Sequence, residues 1–228
     1  MIINKNDPFS KISSLVGAPE SRLHFGQLGE DCLIWHIFGK TRGGFYVDVG
    51  CYNPFRYSNT YLLNSQLGWT GINIDADERA IALFNKYRPN DINIHAGVGL
   101  TEETRAFTVF KEGAVNTFSP EIAARQQRRV EVEKTIQLPI RRLENILSER
   151  LPKGQAIDYM NVDCEGLDEE VLRSNDWQRF RPSLISVEIH GLDLNDTSKN
   201  PTVNLMRECG YKMIAHYFVT AFFQRIEA

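Results

Sequence analysis

The sequence predicts an α/β fold, a mostly parallel sheet with an antiparallel hairpin at its C-terminal edge. Three observations carry the prediction. Short apolar runs alternate with helical patterns, which is how parallel βαβ units read in sequence. The first two runs, Phe45-Tyr46-Val47-Asp48-Val49 and Thr70-Gly71-Ile72-Asn73-Ile74, each close on a carboxylate, Asp48 and Asp75. The chain finishes with two strand-like runs, 211–218 and 220–226, joined by a connection too tight for a crossover helix, so they must pair antiparallel.

The elements follow in order. Between strands 45–49 and 70–74 a helix starts near Ser58 and covers 59–67, with Tyr61, Leu62 and Leu63 as its apolar residues. Asp77 is placed to cap the next helix, whose apolar face is Ile81, Leu83 and Phe84. Further strands are expected at 92–96, 106–110, 157–162 and 184–189, and further helices at 141–151 and 168–177. No internal repeat or low-complexity tract appears. The chain, 1–228, reads as one domain with an N-terminal extension at 1–25 and an inserted segment at 111–138.

Composition narrows the function. With 228 residues and 42% hydrophobic content the chain can bury a full core as one unit. A formal charge of -3 supplies no general basic field, so duplex nucleic acid is not an expected partner. No apolar run approaches the length of a membrane span, and the start lacks the apolar core of a secretory signal. Cys32, Cys51, Cys164 and Cys209 are too scattered for a C-x-x-C zinc or redox motif and too few for a disulfide scaffold. These observations point to a cytoplasmic protein, and they are compatible with a homo-oligomer.

The two carboxylates point to a nucleoside. In an open α/β sheet ligands sit outside the carboxyl ends of the strands, and an acidic residue ending the second strand accepts hydrogen bonds from ribose hydroxyls. A dinucleotide fold also needs a G-x-G-x-x-G turn so that amides can approach a pyrophosphate. Here the turn reads Gly50-Cys51-Tyr52-Asn53-Pro54-Phe55, with one glycine. S-adenosylmethionine has no phosphate. Its ammonium is a partner for Asp48, and Gly50 lets the backbone come close. The same Asp-x-Gly also suits a buried strand that merely needs to turn.

Several motifs in sequence order resemble the FkbM-type methyltransferase family. They are Gln27-Leu28-Gly29-Glu30-Asp31, Gly44 through Gly50, Ser58-Asn59-Thr60-Tyr61-Leu62, Gly68 through Asp75, Arg88 through Asn93, Asp163-Cys164-Glu165-Gly166 and Arg181 through Ile189. The resemblance implies a Rossmann-like class I methyltransferase fold, S-adenosylmethionine as donor, and an oxygen of a sugar or natural product as acceptor. The chain departs from the family pattern at Cys51-Tyr52 and at Cys164.

On that fold, Asp48 and Gly50 lie near the methionine part and Asp75 on the ribose. The adenine falls near His95, Ala96, Gly97 and Val98. Glu30 either folds back over the donor's amino-acid end or is a helix N-terminal carboxylate facing the dipole. Ser58 and Asn59 cap the first helix, with amides facing the donor carboxylate.

Chemistry is expected where Asp163, Glu188 and His190 converge. In one reading His190 is the general base for the acceptor hydroxyl. In a second, Asp163 and Glu188 hold Mg2+, by analogy with metal-dependent O-methyltransferases of the same architecture. In a third, Asp163 caps the next helix, Glu188 pairs with an arginine and His190 sits in a polar turn. Methyl transfer is an in-line displacement, so alignment supplies much of the rate and no covalent nucleophile is needed.

The acceptor side falls to the insertion. Ser119-Pro120-Glu121 starts a helix there. Its Arg125, Arg128 and Arg129 either bind an anionic acceptor or lie on a solvated face beside Glu131 and Glu133. By family position Asn116 and Thr117 are the acceptor-side polar contacts. The expected function is therefore S-adenosylmethionine-dependent O-methylation of a small molecule, with a surface-polysaccharide or other glycan acceptor. An NAD-linked oxidoreductase and a non-catalytic binding module are the alternatives.

Overall fold

The computed structural model describes residues 23–227. Residues 1–22 of the expected N-terminal extension lie outside the described residues. A seven-stranded sheet forms the centre. Its strands, in chain order, are β1 (Phe45–Val49), β2 (Thr70–Asp75), β3 (Ile92–His95), β7 (Tyr159–Val162), β8 (Leu184–Glu188), β9 (Tyr211–Tyr217) and β10 (Thr220–Arg225). Their spatial order is β3-β2-β1-β7-β8-β10-β9. The first five run parallel, and β10 is antiparallel to both β8 and β9. This is the Rossmann-like arrangement, with an antiparallel C-terminal edge as the sequence predicts.

The strands are buried on both faces because helices cover both, so they read as continuous apolar runs rather than alternating ones. Alternation survives in the packing. Phe45, Val47 and Val49 join a core with Ile72, Ile74, Met160 and Val187, whereas Tyr46 points into a second core with Trp69, Tyr159 and Phe222. Asp48 shares the parity of Tyr46. It is therefore a charge on a buried face, 2% exposed, which burial penalises unless partners compensate.

Around the sheet lie α1 (Glu30–Phe38), α2 (Tyr61–Leu67), α3 (Glu78–Tyr87), α4 (Pro120–Gln126), α5 (Leu143–Arg150), α6 (Asp168–Arg173) and α7 (Pro201–Glu208). Asp77 caps α3 by accepting from the Arg79 amide, and Ser119 caps α4 by accepting from the Ile122 amide. Ile81 and Phe84 of α3 are buried, but Leu83 is exposed.

Two expectations about helices fail. Helix α2 starts three residues after Ser58, behind Thr60, with no side-chain cap. The chain needs those residues for buried hydrogen bonds across the sheet face, described below. The helix in the insertion ends at Gln126, so Glu131 and Glu133 do not share a face with its arginines. Instead Glu131 pairs with Lys111 and Glu133 with Arg79.

The strand expected at 106–110 is β5 (Thr104–Phe110), but it stands outside the main sheet. It pairs antiparallel with β6 (Val132–Arg141), which also pairs with the short β4 (Gly97–Val98). This small sheet carries the insertion over the carboxyl ends of β1, β2 and β7. Among the described residues no helix is long and apolar enough to cross a membrane.

Candidate functional site

The strand order reverses between β1 and β7, since β2 and β3 lie on one side and β8 on the other. Such switch points open a crevice at the carboxyl ends. A two-lobed cleft sits there. Its first lobe opens against Val49, Ile74 and Asp163, at or just past the carboxyl ends of β1, β2 and β7. Gly50, Tyr52, Ala114, Asp163 and Glu165 border both lobes and form a waist.

Gly50 makes the waist possible. Its φ of +78° is in the left-handed region, and a Cβ there would meet the Asp163 carbonyl oxygen at 1.8 Å. Only glycine lets the end of β1 run this close to the end of β7.

The first lobe is largely apolar, floored by Ile74, Ala96, Val98, Phe107 and Phe118, with Asp75 at its edge. The Asp75 carboxylate accepts from the backbone amides of Tyr52 at 2.8 Å and Asp77 at 2.7 Å. Burial nonetheless pushes its pKa up to about 6, against the pull of those amides. Ala96, Gly97 and Val98 line this lobe, as the sequence places them. His95 does not. It is exposed, with its ring Nε2 2.9 Å from the Ala76 carbonyl oxygen, because strand alternation turns it to the other side.

The second lobe is polar. Gln27, Glu30, Asp48, Asn59, Asn161 and Thr220 line it. Glu30 opens α1 and is 3% exposed, with its Oε2 accepting from the Leu28 amide at 2.9 Å. A Cβ added to Gly26 would meet Glu30 Oε2 at 2.6 Å and Asn59 Oδ1 at 2.8 Å, so both acceptor oxygens face one small space. Asn59 Oδ1 is buried and has no partner among the described residues. That orphan acceptor beside a carboxylate fits a cationic donor group such as an ammonium.

Asp48 is held by two side chains. Asn161 Nδ2 donates to its Oδ1 at 3.0 Å and Thr60 Oγ1 to its Oδ2 at 2.9 Å. Burial raises its pKa, and those two hydrogen bonds and the charge of Arg88 oppose the rise. Asn161 Oδ1 in turn accepts from Asn59 Nδ2 at 3.1 Å. Ser58 lies off the cleft and accepts from Arg88 Nη2 at 2.9 Å. Sequence reasoning missed Asn161, Thr60 and Arg88. The legible signal was a polar residue, Asn161, inside the apolar run 157–162, in register with Asp48 on the neighbouring strand.

At the waist Asp163, Glu165 and Glu188 bring one carboxylate oxygen each within 4.8 Å of one another. Glu165 is the member the sequence reading omitted, and its own φ is +46°. Burial raises all three carboxyl pKa values. Glu165 rises to about 7 and Glu188 to about 8, and Asp163 goes well above the ordinary range with the charge of Glu188 adding to burial. Asp163 does not cap α6, where Asp168 instead accepts from the Cys164 and Gly166 amides. Among the described residues Glu188 pairs with no arginine; its Oε1 lies 3.0 Å from His190 Nε2, and its Oε2 is buried without a partner there. Burial and the nearby charge of Arg125 lower the His190 pKa, which favours its neutral form.

The insertion residues divide. Asn116 lines the first lobe, but its amide is engaged at both ends, donating to Asp77 Oδ2 at 2.9 Å and accepting from the Phe110 amide at 2.7 Å. Thr117 is 1% exposed and lines neither lobe. Its hydroxyl donates to the Glu165 carbonyl and accepts from the Ser119 amide, so it holds the turn before α4. Tyr52 crosses the cleft instead. Its hydroxyl donates to Glu112 Oε1 at 2.8 Å, and the Arg56 guanidinium lies 3.4 Å from the same carboxylate and 4.5 Å from the Tyr57 ring centroid.

A family model described as the methyltransferase FkbM domain matches residues 48–213. No curated protein sequence matches significantly. Among solved structures, the chain is similar to a TehB-like SAM-dependent methyltransferase from Corynebacterium glutamicum, at 12% identity and a TM-score of 0.41, with 96% of each chain covered. It is also similar to monomeric WbdD, at 13% identity and a TM-score of 0.42, covering 98% of this chain and 42% of that one. Both likenesses are too distant to bear on activity.

Proposed function

Because the chain belongs to the FkbM methyltransferase family, whose matched segment begins at Asp48 on β1, we propose that it transfers a methyl group from S-adenosylmethionine to a hydroxyl oxygen of a small molecule. The acceptor class we assign is a carbohydrate, free or as part of a glycosylated product, and the site of action is the cytoplasm. The observation that carries the donor reading is the division of the cleft. An apolar lobe edged by Asp75 suits an adenosine, a polar lobe with Glu30, Asp48 and the orphaned Asn59 oxygen suits a zwitterionic amino acid, and the waist lies between them.

When bound, S-adenosylmethionine supplies an electrophilic methyl group. The chain's own residues supply the rest. Asp75, with two lone-pair positions left after its backbone bonds, receives the ribose hydroxyls. Glu30 and Asn59 accept from the ammonium, and Asp48 adds negative charge behind them. The acceptor hydroxyl is oriented at the waist, where the His190 imidazole takes up its proton and Glu188, with its Oε1 3.0 Å from His190 Nε2, holds the ring in place. The Tyr52, Arg56 and Glu112 contacts roof the waist and exclude water.

A second reading assigns Mg2+ to the waist, and the specific observation favouring it is the acidic trio with a partnerless Glu188 Oε2. Three carboxylates fit a hard cation that takes oxygen ligands. The residues that would hold it are Asp163, Glu165 and Glu188, and it would supply charge stabilisation of the acceptor oxygen.

Methylation of a panel of methyl glycosides, followed as S-adenosylhomocysteine release, tests the acceptor assignment. Release with at least one glycoside, lost in Glu188→Gln, is the expected result; activity on none of them, with activity on an amine or thiol panel, overturns it. A chelator that abolishes turnover, with Mg2+ restoring it, decides for the second reading, and chelator-insensitive turnover decides against it.

A further inference from the structure

Beneath the polar lobe, and touching neither lobe, lies one buried cation. Arg88 closes α3 and is 3% exposed. Its Nη1 donates to Thr60 Oγ1 at 2.8 Å, and its Nη2 donates to Ser58 Oγ at 2.9 Å and to the Pro54 carbonyl. One guanidinium thus ties down three points of the loop that connects β1 to α2. A planar fork can serve several acceptors at once in a way that an ammonium cannot.

Thr60 is the hinge of the arrangement. Its hydroxyl has one proton, and because Arg88 occupies it as an acceptor, that proton is directed to Asp48 Oδ2 at 2.9 Å. The direction of the relay is therefore fixed, from guanidinium to hydroxyl to carboxylate. A second branch runs from Arg88 Nη1 through the Tyr46 hydroxyl to Asp91, so the cation is shared between two buried carboxylates. Asp91 is further satisfied by the Gly71 amide and Asn73 Nδ2.

Resting on the donor reading above, we propose that Arg88, acting through Thr60, is a positioning residue for the donor site: it orients Asp48 and fixes the loop that carries Asn59. Neither residue touches the donor. Their effect reaches it through Asp48 and through the orphan oxygen of Asn59, which follows Ser58 and precedes Thr60 in the pinned loop.

The arrangement has a consequence in pH that a purely structural strut would lack. The groups facing Asp48 are Asn161 from β7, Thr60, Arg88 and Asp91, and the charges, thiol and phenol of Asp75, Asp163, Cys51 and Tyr159. Of these, Asn161, Thr60 and Arg88 stabilise the anion, and the rest oppose it. Breaking the relay at Thr60 moves the Asp48 pKa upward, so that the negative charge behind the ammonium is lost at a higher pH.

The test is calorimetric titration of S-adenosylhomocysteine against pH for the wild type, Thr60→Val, Thr60→Ser and Arg88→Lys, with circular dichroism to confirm folding. The expected result is affinity weakened about tenfold in Thr60→Val, with its acidic limb moved up by about 1 pH unit, and both restored in Thr60→Ser. Arg88→Lys keeps the charge but not the fork, and weakens binding likewise; it serves as the comparison should Thr60→Val fail to fold. A folded Thr60→Val, or in its place a folded Arg88→Lys, with wild-type affinity and an unmoved acidic limb overturns the proposal. Wild-type protein that does not bind S-adenosylhomocysteine at any pH instead overturns the donor reading itself.

Discussion

Replacing Gly50 by alanine should be among the most damaging single-methyl changes in the chain, and the structure gives its size. Two costs combine. A non-glycine residue at φ +78° costs about 1–2 kcal/mol from Cβ crowding against its own backbone. The new Cβ would also lie 1.8 Å from the Asp163 carbonyl oxygen, so the ends of β1 and β7 must separate, an overpacking cost of about 1–3 kcal/mol. At roughly 2–4 °C per kcal/mol for a chain of this size, Gly50→Ala should melt about 4–20 °C below wild type. Gly68→Ala is the internal control. Its φ of +67° is similar, but nothing lies within 4 Å of its Cβ, so it should lose only the conformational part, about 2–8 °C. Thermal unfolding followed by circular dichroism measures both. Gly50→Ala melting at or above Gly68→Ala would refute the claim that close approach to Asp163, rather than backbone conformation, sets this position.

Stability should fall as pH rises through the window from the ordinary carboxyl range to about 8, because folded Glu165 and Glu188 hold protons there that the unfolded chain releases. Melting at about pH 6 and about pH 8.5 measures the slope, and Glu188→Gln should flatten it; an equally steep slope in that variant counts against the acidic waist. Arg56→Met should change stability by less than about 1 kcal/mol, since its contacts with Glu112 are half-exposed, yet it should speed S-adenosylhomocysteine release by loosening the roof. Stopped-flow displacement at unchanged melting temperature checks both halves. His190→Ala should lower kcat with little change in donor affinity, because His190 lines neither lobe; unchanged kcat would remove it as the proton acceptor.

The fold was legible because its signals are local. Apolar runs ending in Asp48 and Asp75, the Asp77 and Ser119 caps and the final hairpin each depend on a few adjacent residues, and each appears where the sequence places it. What failed depends on distant partners. Ser58 and Asn59 look like caps by residue type, but a buried guanidinium from Arg88 and the amide of Asn161 claim them. The strand 106–110 has the right composition, yet its pairing with 132–141 rather than with the main sheet is a tertiary choice that propensity does not encode. At the site, acidic residues at strand ends were readable, whereas Glu165 was passed over because its contribution comes from a left-handed turn that swings it back over the waist. Thr117 was assigned by family position alone, and local hydrogen bonding with Glu165 and Ser119 takes its side chain away from the cleft.

The central claim is that the cleft at the carboxyl ends of β1, β2 and β7 holds S-adenosylmethionine with Asp75 on its ribose. Calorimetric titration of S-adenosylhomocysteine and of NAD into wild type and Asp75→Ala, with and without Mg2+, tests it most directly. The account predicts binding of S-adenosylhomocysteine by wild type, weakened at least about tenfold in Asp75→Ala as a buried charge-assisted hydrogen-bond partner is lost, and no heat with NAD. Heat with NAD and none with S-adenosylhomocysteine, or an Asp75→Ala variant that binds as well as wild type, would contradict it.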